Sequence, residues 1–286
     1  MNKIPFWFEV FVPFGPGALE PVSELLFTLG CTGTEERENG LTAWFDPGRL
    51  DREPLLEALQ GGIGRLRASG MIVGDPHMRT IKSRDWNEAW RAWFKPVPVT
   101  PALIVRPPWE KYKASPGMLE LIIMPRMAFG TGTHETTQLC LEMLESTVQP
   151  GATLLDIGAG SGILAVAAAK WQADRVTAVE IDPLAVGNCA ENADLNGVRE
   201  KIRVVCGTLD CIRPQRYDMI TANINTQVLS AILPDLVRYL SGSGRLILSG
   251  ILASESGAFV QTLVQHGYTV ADEHDKGEWA GILATA

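Results

Sequence analysis

Residues 154–162 are Leu-Leu-Asp-Ile-Gly-Ala-Gly-Ser-Gly, a short apolar run that leads directly into a glycine-rich loop. Short apolar runs are typical of buried parallel strands, and glycines in the turn let a ligand approach the backbone closely. Similar runs occur at 176–179, 202–206, 219–222 and 246–248, with helical patterns between them at about 162–171, 184–196 and 228–240. Alternating strands and helices predict a doubly wound α/β parallel sheet, whose ligands bind at the carboxyl ends of the strands.

The spacing of the glycines indicates which ligand suits this loop. Gly158, Gly160 and Gly162 form G-x-G-x-G, whereas the dinucleotide fingerprint is G-x-G-x-x-G, and its third glycine position holds Ile163. Asp156, two residues before the first glycine, suits a cation better than a pyrophosphate. S-adenosylmethionine carries an ammonium and a sulfonium and has no phosphate, so it fits this pattern better than NAD does. The alternative is a tight structural turn that binds nothing.

A second acidic residue points to a ligand that contains a ribose. Glu180 ends the second predicted strand, 22 residues after Gly158, where a carboxylate can accept hydrogen bonds from both ribose hydroxyls. NAD and S-adenosylmethionine share that ribose, so Glu180 does not distinguish between them. Asp182 precedes Pro183 and is predicted mainly to cap the next helix.

A polar loop lies upstream of these residues. Residues 128–137 are Ala-Phe-Gly-Thr-Gly-Thr-His-Glu-Thr-Thr and precede a predicted helix at 138–145. Thr133 or Thr136 is predicted to be the N-cap of that helix, and a lone His134 is more often structural than catalytic. A metal site is not expected, because the other histidines are dispersed at 77, 266 and 274.

Asn223 ends the fourth predicted strand of the doubly wound sheet. A polar side chain at the carboxyl end of a strand points into the ligand crevice, and in amino-methylating enzymes an Asn or Asp here faces the methyl acceptor. The alternative is that Asn223 caps the helix that follows.

Residues 1–80 predict a separate small domain. Its pattern is βαββαβ, which indicates a ferredoxin-like α+β domain, with strands at 6–12, 31–38, 41–45 and 71–73 and helices at 18–29 and 50–59. Between 81 and 101, three tryptophans (Trp86, Trp90 and Trp93) share one helix face and are followed by several prolines. We interpret this stretch as a linker with a docked aromatic helix, and a substrate-binding stripe is the alternative. The remaining domain then spans 102–286.

Composition limits the class of partner. The chain has 286 residues and a net charge of −8, which disfavours binding to nucleic acid mainly by phosphate neutralisation and is compatible with a basic protein partner. The five cysteines are scattered and lack paired C-x-x-C spacing, which disfavours a disulfide framework and a zinc site and predicts a reducing, cytoplasmic location. No apolar run approaches the ~20 residues of a membrane span, and the N-terminus has no signal-peptide pattern.

Taken together, these segments resemble the PrmA family, the methyltransferases of ribosomal protein L11 of the large subunit. The resemblance is carried by residues 128–137, by 156–164 and by shorter matches in the same order at 85–96, 196–198, 222–224 and 249–252. It implies a Rossmann-like, class I S-adenosylmethionine-dependent methyltransferase domain, preceded by a ferredoxin-like domain that recognises the substrate. The implied reaction methylates lysine amines of L11, with its N-terminal amine as a further candidate.

The resemblance also implies which residues form the site. By motif position, Thr137, Gly158, Glu180 and Asn223 contact the cofactor, and Asn223 is the catalytic residue. The same two loops add the remaining candidates for cofactor binding, which are Phe129, Gly130, Thr131, Asp156 and Gly160. No metal is implied, and the enzyme is expected to be a monomer that needs no direct contact with nucleic acid.

Two departures from the family pattern concern the acceptor side. Residues 124–127 are Met-Pro-Arg-Met where many members have Asp-Pro-Gly, and Asn225-Thr226 follows Ile224 where many have Leu-Ala. A lysine methyltransferase with a different protein substrate therefore stays an alternative. A nucleic-acid base methyltransferase is a second alternative. Such an enzyme usually carries Pro-Pro-aromatic after the Asn, whereas here Ile224-Asn225-Thr226 follows Asn223. A non-enzymatic binding module is a third alternative. Such a module would tolerate the loss of Asp156 and Glu180, whereas both residues are present here.

Overall fold

The structure is a computed structural model that describes residues 6–48, 51–82, 91, 94–113, 115–126 and 128–286. The chain forms two compact units, Met1–Trp93 and Phe94–Ala286. The linker helix predicted around Trp86, Trp90 and Trp93 lies outside the described residues. In the part of the chain that is described, no helix combines the length and the apolar character needed to cross a bilayer.

The first unit has the predicted βαββαβ order. Its elements are β1 Phe6–Pro13, α1 Leu19–Thr28, β2 Gly33–Arg37, β3 Gly40–Phe45, α2 Arg52–Ala68 and β4 His77–Lys82. The four strands form one antiparallel sheet in the order β2-β3-β1-β4, as expected of a ferredoxin-like domain. Sheet and helices enclose a core of their own, which includes the buried side chains of Val10, Leu26 and Leu59.

The second helix of this unit is longer than predicted. It continues to Ala68 instead of ending at residue 59 as predicted. Gly62 faces Leu25 next to it, and a Cβ at Gly62 would come within 2.3 Å of Leu25 Cδ1. The glycine therefore permits close packing of α2 against α1 and does not end the helix.

The last strand of the first unit was predicted at the wrong place. Residue Val73 makes only an isolated bridge to Phe14, and the fourth strand of the sheet is β4, at His77–Lys82. β4 is an edge strand with mostly polar side chains, so its sequence carries no apolar run. Pairing with β1 makes it a strand.

The second unit consists of a small three-stranded sheet and a larger α/β domain. Its elements are β5 Val97–Thr100, β6 Leu103–Arg106, β7 Leu119–Ile122, α3 Glu135–Thr147, β8 Thr153–Ile157, α4 Ile163–Lys170, β9 Arg175–Glu180, α5 Pro183–Leu195, β10 Ile202–Cys206, β11 Tyr217–Asn223, α6 Thr226–Leu236, β12 Leu240–Leu252, α7 Ala253–Gln265, β13 Thr269–Lys276 and β14 Trp279–Thr285. β5 belongs to the small sheet, so this unit begins before the predicted boundary at 102.

The large sheet confirms the predicted doubly wound fold. Its order is β10-β9-β8-β11-β12-β14-β13, and the first five of these strands run parallel. β8 pairs with β9 on one side and β11 on the other, so the strand order reverses at β8. Ligands of such sheets bind at this switch point, where the strands end in Asp156-Ile157, Glu180 and Asn223.

The antiparallel end of the sheet has no counterpart in the sequence prediction. β14 lies between β12 and β13 and is antiparallel to both. β13 is Thr-Val-Ala-Asp-Glu-His-Asp-Lys, with mostly exposed side chains, so no apolar run marks it as a strand. Its pairing with β14 decides its conformation.

Alternation along β8 decides which side of the sheet each site residue faces. Leu154 packs in the cluster that includes α3, α4 and α5, and Leu155 in the cluster that includes α6 and α7. Side chains two apart on a strand share a face. Asp156 is therefore on the α3–α5 side of the sheet.

Candidate active site

The glycine loop lies close to two other segments at the switch point. Gly158, Gly160 and Gly162 have φ values of 68°, 54° and 78°, a region that only glycine adopts readily. A Cβ on Gly158 would come within 2.5 Å of Ile224 Cγ2, and one on Gly160 within 2.6 Å of the Phe129 carbonyl oxygen. Each glycine is therefore required both by its backbone angle and by the space around it.

The carboxylate of Glu180 is held by two backbone amides. Gly160 N donates to Oε2 at 2.8 Å, and Asp182 N donates to Oε1 at 3.0 Å. These bonds connect the end of β9 to the glycine loop and leave each carboxylate oxygen a second lone pair. Asp182 caps α5 as predicted, because its Oδ1 accepts a hydrogen bond from Leu184 N at 2.9 Å.

The upstream polar loop is attached to the glycine loop through Ser161. Its amide donates to the Phe129 carbonyl at 2.8 Å, and its hydroxyl donates to the Gly130 carbonyl at 2.6 Å. Phe129 stays half-exposed beside these bonds. Thr131 contacts Thr133 within the loop, with 3.1 Å between their hydroxyl oxygens, and has no other hydrogen bond in the described chain.

His134 is the N-cap of α3, so the prediction of Thr133 or Thr136 is wrong. The ring nitrogen Nδ1 accepts a hydrogen bond from the Thr136 amide at 3.3 Å and lies 2.9 Å from the Thr136 hydroxyl. The ring also makes edge contacts with Phe129 and Trp279, at centroid distances of 5.1 and 5.2 Å. It thus connects the polar loop to the start of β14.

Asn223 does not cap the helix that follows it. That role belongs to Asn225, whose Oδ1 accepts a hydrogen bond from Val228 N at 2.9 Å. Asn223 Nδ2 is 3.5 Å from the hydroxyl of Thr137 in the first turn of α3. In the part of the chain that the structure describes, the side-chain oxygen of Asn223 accepts no hydrogen bond, so it is available to a ligand.

Asn225 and Thr226, where the sequence departs from the PrmA pattern, both stabilise α6. Asn225 is its cap, and the hydroxyl of Thr226 donates to Glu255 Oε2 at 2.7 Å. The two side chains are therefore occupied by contacts within the fold. The departure gives no reason to assign a different acceptor.

Asp156 is a buried carboxyl with one oxygen unpaired. Only 1% of the residue is exposed; Thr221 donates to its Oδ1 at 2.7 Å, and its Oδ2 has no hydrogen-bond partner among the described residues. Burial raises the pKa of Asp156 to about 6, against the opposing effect of the Thr221 hydrogen bond. Burial, with Asp156 adding to it, raises the pKa of the Cys140 and Cys189 thiols, so both are neutral. A cationic group at Oδ2 would satisfy this carboxylate.

The raised pKa predicts that Asp156→Asn stabilises the ligand-free protein. The unfolded carboxyl titrates near 3.9, so between about 4 and 6 the folded chain binds more protons and stability falls as pH rises. Above about pH 6 the buried carboxyl is ionised, and its full destabilising effect on the fold is present. We expect the substitution to add on the order of 1–3 kcal/mol to the free energy of unfolding at pH 7.5, and less as the pH approaches 4. Thermal unfolding across this pH range measures it.

Asp218→Asn is the matched control for that experiment. Asp218, at the start of β11, accepts hydrogen bonds from the Thr153 amide and hydroxyl at 2.8 and 2.9 Å. Its carboxylate is paired, so the change to Asn should lower stability. An Asp156→Asn protein that is less stable than the native chain at pH 7.5 would contradict the prediction.

Two asparagines on α5, Asn188 and Asn192, and the C-cap residue Asn196 also stabilise the site, and no sequence motif marked them as a group. Asn192 accepts from Met124 N and donates to the Ser161 carbonyl, both at 2.8 Å, so it connects the segment before the polar loop to the glycine loop. Asn188 donates to the Met124 carbonyl, and Asn196 bonds to both backbone groups of Ile122. Their spacing of four residues, on a helix with apolar neighbours, is the signal that could have revealed them.

The structure therefore brings most of the predicted site residues together. Hydrogen bonds or close packing connect Gly158, Gly160, Glu180, Phe129 and Gly130, Asn223 lies beside Thr137, and Asp156 ends β8 just before the glycine loop. No group of three or more metal-ligating side chains occurs among the residues that the structure describes. The site thus offers two carboxylates, an amide oxygen and glycine backbone to a ligand.

A family model, sequence relatives and a solved structure that match this chain are all described as ribosomal protein L11 methyltransferases or methylases. The family model described as ribosomal protein L11 methyltransferase (PrmA) matches residues 6–286. A relative of that name from Pelotomaculum thermopropionicum is 45% identical, over 72% of this chain and 67% of its own. Another, from Desulfitobacterium hafniense, is 34% identical over 97% of each chain. The crystal structure of the ribosomal protein L11 methylase from Lactobacillus delbrueckii subsp. bulgaricus is 31% identical, with a TM-score of 0.62, over 66% of this chain and 97% of that one.

Proposed function

This chain belongs to the ribosomal protein L11 methyltransferase (PrmA) family, and we propose that it methylates lysine amines, and the N-terminal amine, of ribosomal protein L11. It is an S-adenosylmethionine-dependent protein methyltransferase with a Rossmann-like domain. The observation that carries the site assignment is the buried, unpaired Oδ2 of Asp156 next to a glycine loop without the dinucleotide spacing. That combination suits a cationic ligand that has no phosphate.

Each proposed cofactor contact uses a group that is available in the fold. Asp156 would face the ammonium of the cofactor, the backbone of Gly158 and Gly160 would approach its amino-acid chain, and the free lone pairs of Glu180 would accept from the ribose hydroxyls. Thr137 and the loop at 129–131 would border the same ligand. When bound, S-adenosylmethionine supplies an electrophilic methyl group on its sulfonium.

The proposed part of Asn223 is to orient the methyl acceptor. Because the pKa of lysine is about 10.4, forming the neutral amine at pH 7 costs roughly 4.6 kcal/mol. The site must therefore favour loss of the proton. Desolvation in the crevice disfavours the ammonium and lowers that pKa. The free Oδ1 of Asn223 would then accept an N–H of the amine and aim its lone pair at the methyl carbon, about 3 Å away and in line with the sulfur.

The two units would divide the work. All proposed cofactor contacts lie in Phe94–Ala286, whereas the ferredoxin-like unit has its own core and none of them. We assign substrate recognition to that first unit, following the 1–80 domain predicted from the sequence. The enzyme would act as a cytoplasmic monomer without direct contact to nucleic acid. The net charge of −8 supports a basic protein as its partner.

The proposal predicts selective binding and selective labelling. Calorimetry should show binding of S-adenosylhomocysteine and none of NAD at the same concentrations, because the glycine spacing and Asp156 oppose a pyrophosphate. Incubation with purified L11 and methyl-labelled S-adenosylmethionine should place the label on L11, at lysines and the N-terminus by mass spectrometry. Label found on RNA and not on L11 would contradict the proposal and favour a nucleic-acid base methyltransferase.

A further inference from the structure

We propose that Thr221 is a positioning residue for the cofactor site: its hydroxyl holds one carboxylate oxygen of Asp156 and leaves the other free for the ammonium of S-adenosylmethionine. This inference rests on the proposed function and extends it to a residue outside the family motifs considered above. Thr221 would act through Asp156 and would not touch the cofactor itself.

Thr221 and Asp156 form a side-chain hydrogen bond between two neighbouring strands. Thr221 on β11 lies directly beside Asp156 on β8 in the parallel register, and both side chains are buried. The hydroxyl donates to Oδ1 at 2.7 Å, the distance of a hydrogen bond to a charged acceptor. Among the described residues this is the one side-chain donor to the carboxylate, while Oδ2 stays unpaired. The bond therefore decides which oxygen is left over.

No other side chain among the described residues donates a hydrogen bond to this carboxyl. Burial, with Asp156 adding to it, raises the pKa of Cys140 on α3 and Cys189 on α5, so both thiols are neutral. The negative charge of Glu180 on β9 raises the pKa of Asp156 further, so it disfavours the ionised form. Without Thr221, the carboxylate would lose its side-chain hydrogen bond and keep only the weaker stabilisation from the backbone of Ala165.

Strand β11 carries both Thr221 and Asn223, the residue proposed to orient the methyl acceptor. Asn223 is two residues after Thr221, so the two side chains share the α3 face of the sheet. Asn223 in turn lies 3.5 Å from Thr137 in the first turn of α3. One strand thus places both the group that fixes Asp156 and the group that would orient the amine.

The test is Thr221→Val, which replaces the hydroxyl by a methyl of similar size. Its binding to two probes is compared by calorimetry: S-adenosylhomocysteine, which has the amino-acid ammonium, and 5′-methylthioadenosine, which lacks it. We expect affinity for the first to fall about tenfold, typical of one charge-assisted hydrogen bond, and affinity for the second to change less than about twofold. Equal losses for both probes, or no loss for either, would overturn the proposal.

Thr177→Val is the matched control, because Thr177 is a buried threonine on the neighbouring strand β9. It accepts a hydrogen bond from the Tyr217 hydroxyl at 3.1 Å, away from Asp156. It should lose stability without a selective loss for either probe. Thr221→Ser keeps the hydroxyl and should restore S-adenosylhomocysteine binding. If the valine variant does not fold, Thr221→Ala removes the same hydroxyl and the same two-probe comparison decides.

A pH profile distinguishes positioning from simple packing. The Thr221 hydrogen bond lowers the pKa of Asp156, so its loss must raise that pKa above about 6. Affinity for S-adenosylhomocysteine falls as pH drops through the pKa, because a neutral carboxyl holds the ammonium less well. In Thr221→Val the midpoint of this fall should move to higher pH than in Thr221→Ser, with Glu180 present in both. An unmoved midpoint would contradict the proposal.

Asp156→Asn separates failure of this inference from failure of the proposed function. If Asp156→Asn weakens S-adenosylhomocysteine binding and Thr221→Val does not, Asp156 keeps its proposed contact and the positioning role of Thr221 is wrong. If Asp156→Asn itself leaves that affinity unchanged, the assigned ammonium contact is wrong, and the inference fails with it.

Discussion

Asn223→Ala is expected to lower the rate of methyl transfer to L11 by at least about a hundredfold, while affinity for S-adenosylhomocysteine falls by less than about tenfold. The reason is that the free Oδ1 of Asn223 is proposed to align the amine, and misalignment of reacting atoms affects the rate far more than ground-state binding of the cofactor. Single-turnover labelling of L11, with calorimetry on the same preparation, measures the two quantities separately.

Asn188→Ala is a suitable control, since Asn188 is a buried asparagine that donates one hydrogen bond to the Met124 carbonyl at 3.1 Å. It should destabilise the fold by about 1–3 kcal/mol and lower the rate of the folded enzyme much less than Asn223→Ala does. If Asn223→Ala loses stability and keeps a near-native rate in its folded fraction, Asn223 is structural and the acceptor role is wrong.

Deletion of the first unit is expected to abolish methylation of intact L11 and to leave cofactor binding nearly unchanged. A chain that starts at Phe94 keeps both core clusters of the large sheet and every residue proposed to contact S-adenosylmethionine. Its affinity for S-adenosylhomocysteine should stay within about threefold of the full chain, about 0.7 kcal/mol. Loss of L11 labelling would follow because the surface assigned to substrate recognition is gone.

A short lysine peptide serves as the control substrate for the deletion. It is too small to need a separate recognition domain, so the full-length and truncated chains should methylate it at similar low rates. Equal peptide rates with no L11 labelling would locate the defect in substrate recognition. If the truncated chain methylates intact L11 at the full-length rate, the assigned role of the first unit is wrong.

The sequence alone determined the features that depend on near neighbours in the chain. The apolar run before Gly158 predicted β8, and the glycine spacing predicted a loop unsuited to a dinucleotide. Asp182 before Pro183 predicted the cap of α5, because a cap is a contact between residues two or three apart. The βαββαβ pattern likewise predicted the order of strands and helices in the first unit, although the end of α2 and the place of the last strand differ from the prediction.

Local rules do not choose between neighbouring residues that could fill the same role. Thr133, His134 and Thr136 all lie near the start of α3, and His134 is the cap because its ring also packs between Phe129 and Trp279. Asn225 caps α6, while Asn223 is oriented towards α3. Propensity gives similar weight to such neighbours, and packing against a distant element chooses between them.

Only the tertiary structure decided what the site can bind. Asp156 and Thr221 are 65 residues apart, and Asn223 and Thr137 are 86 apart, so no window of sequence contains either pair. The first pair meets because β8 and β11 are neighbours in a sheet whose order differs from chain order, and the second because α3 packs against β11. The sequence places a carboxyl beside a glycine loop. The strand order buries that carboxyl, pairs one of its oxygens with Thr221 and leaves the other without a hydrogen-bond partner among the described residues. The reason is that contacts across a sheet are set by which strands are neighbours and not by distance along the chain.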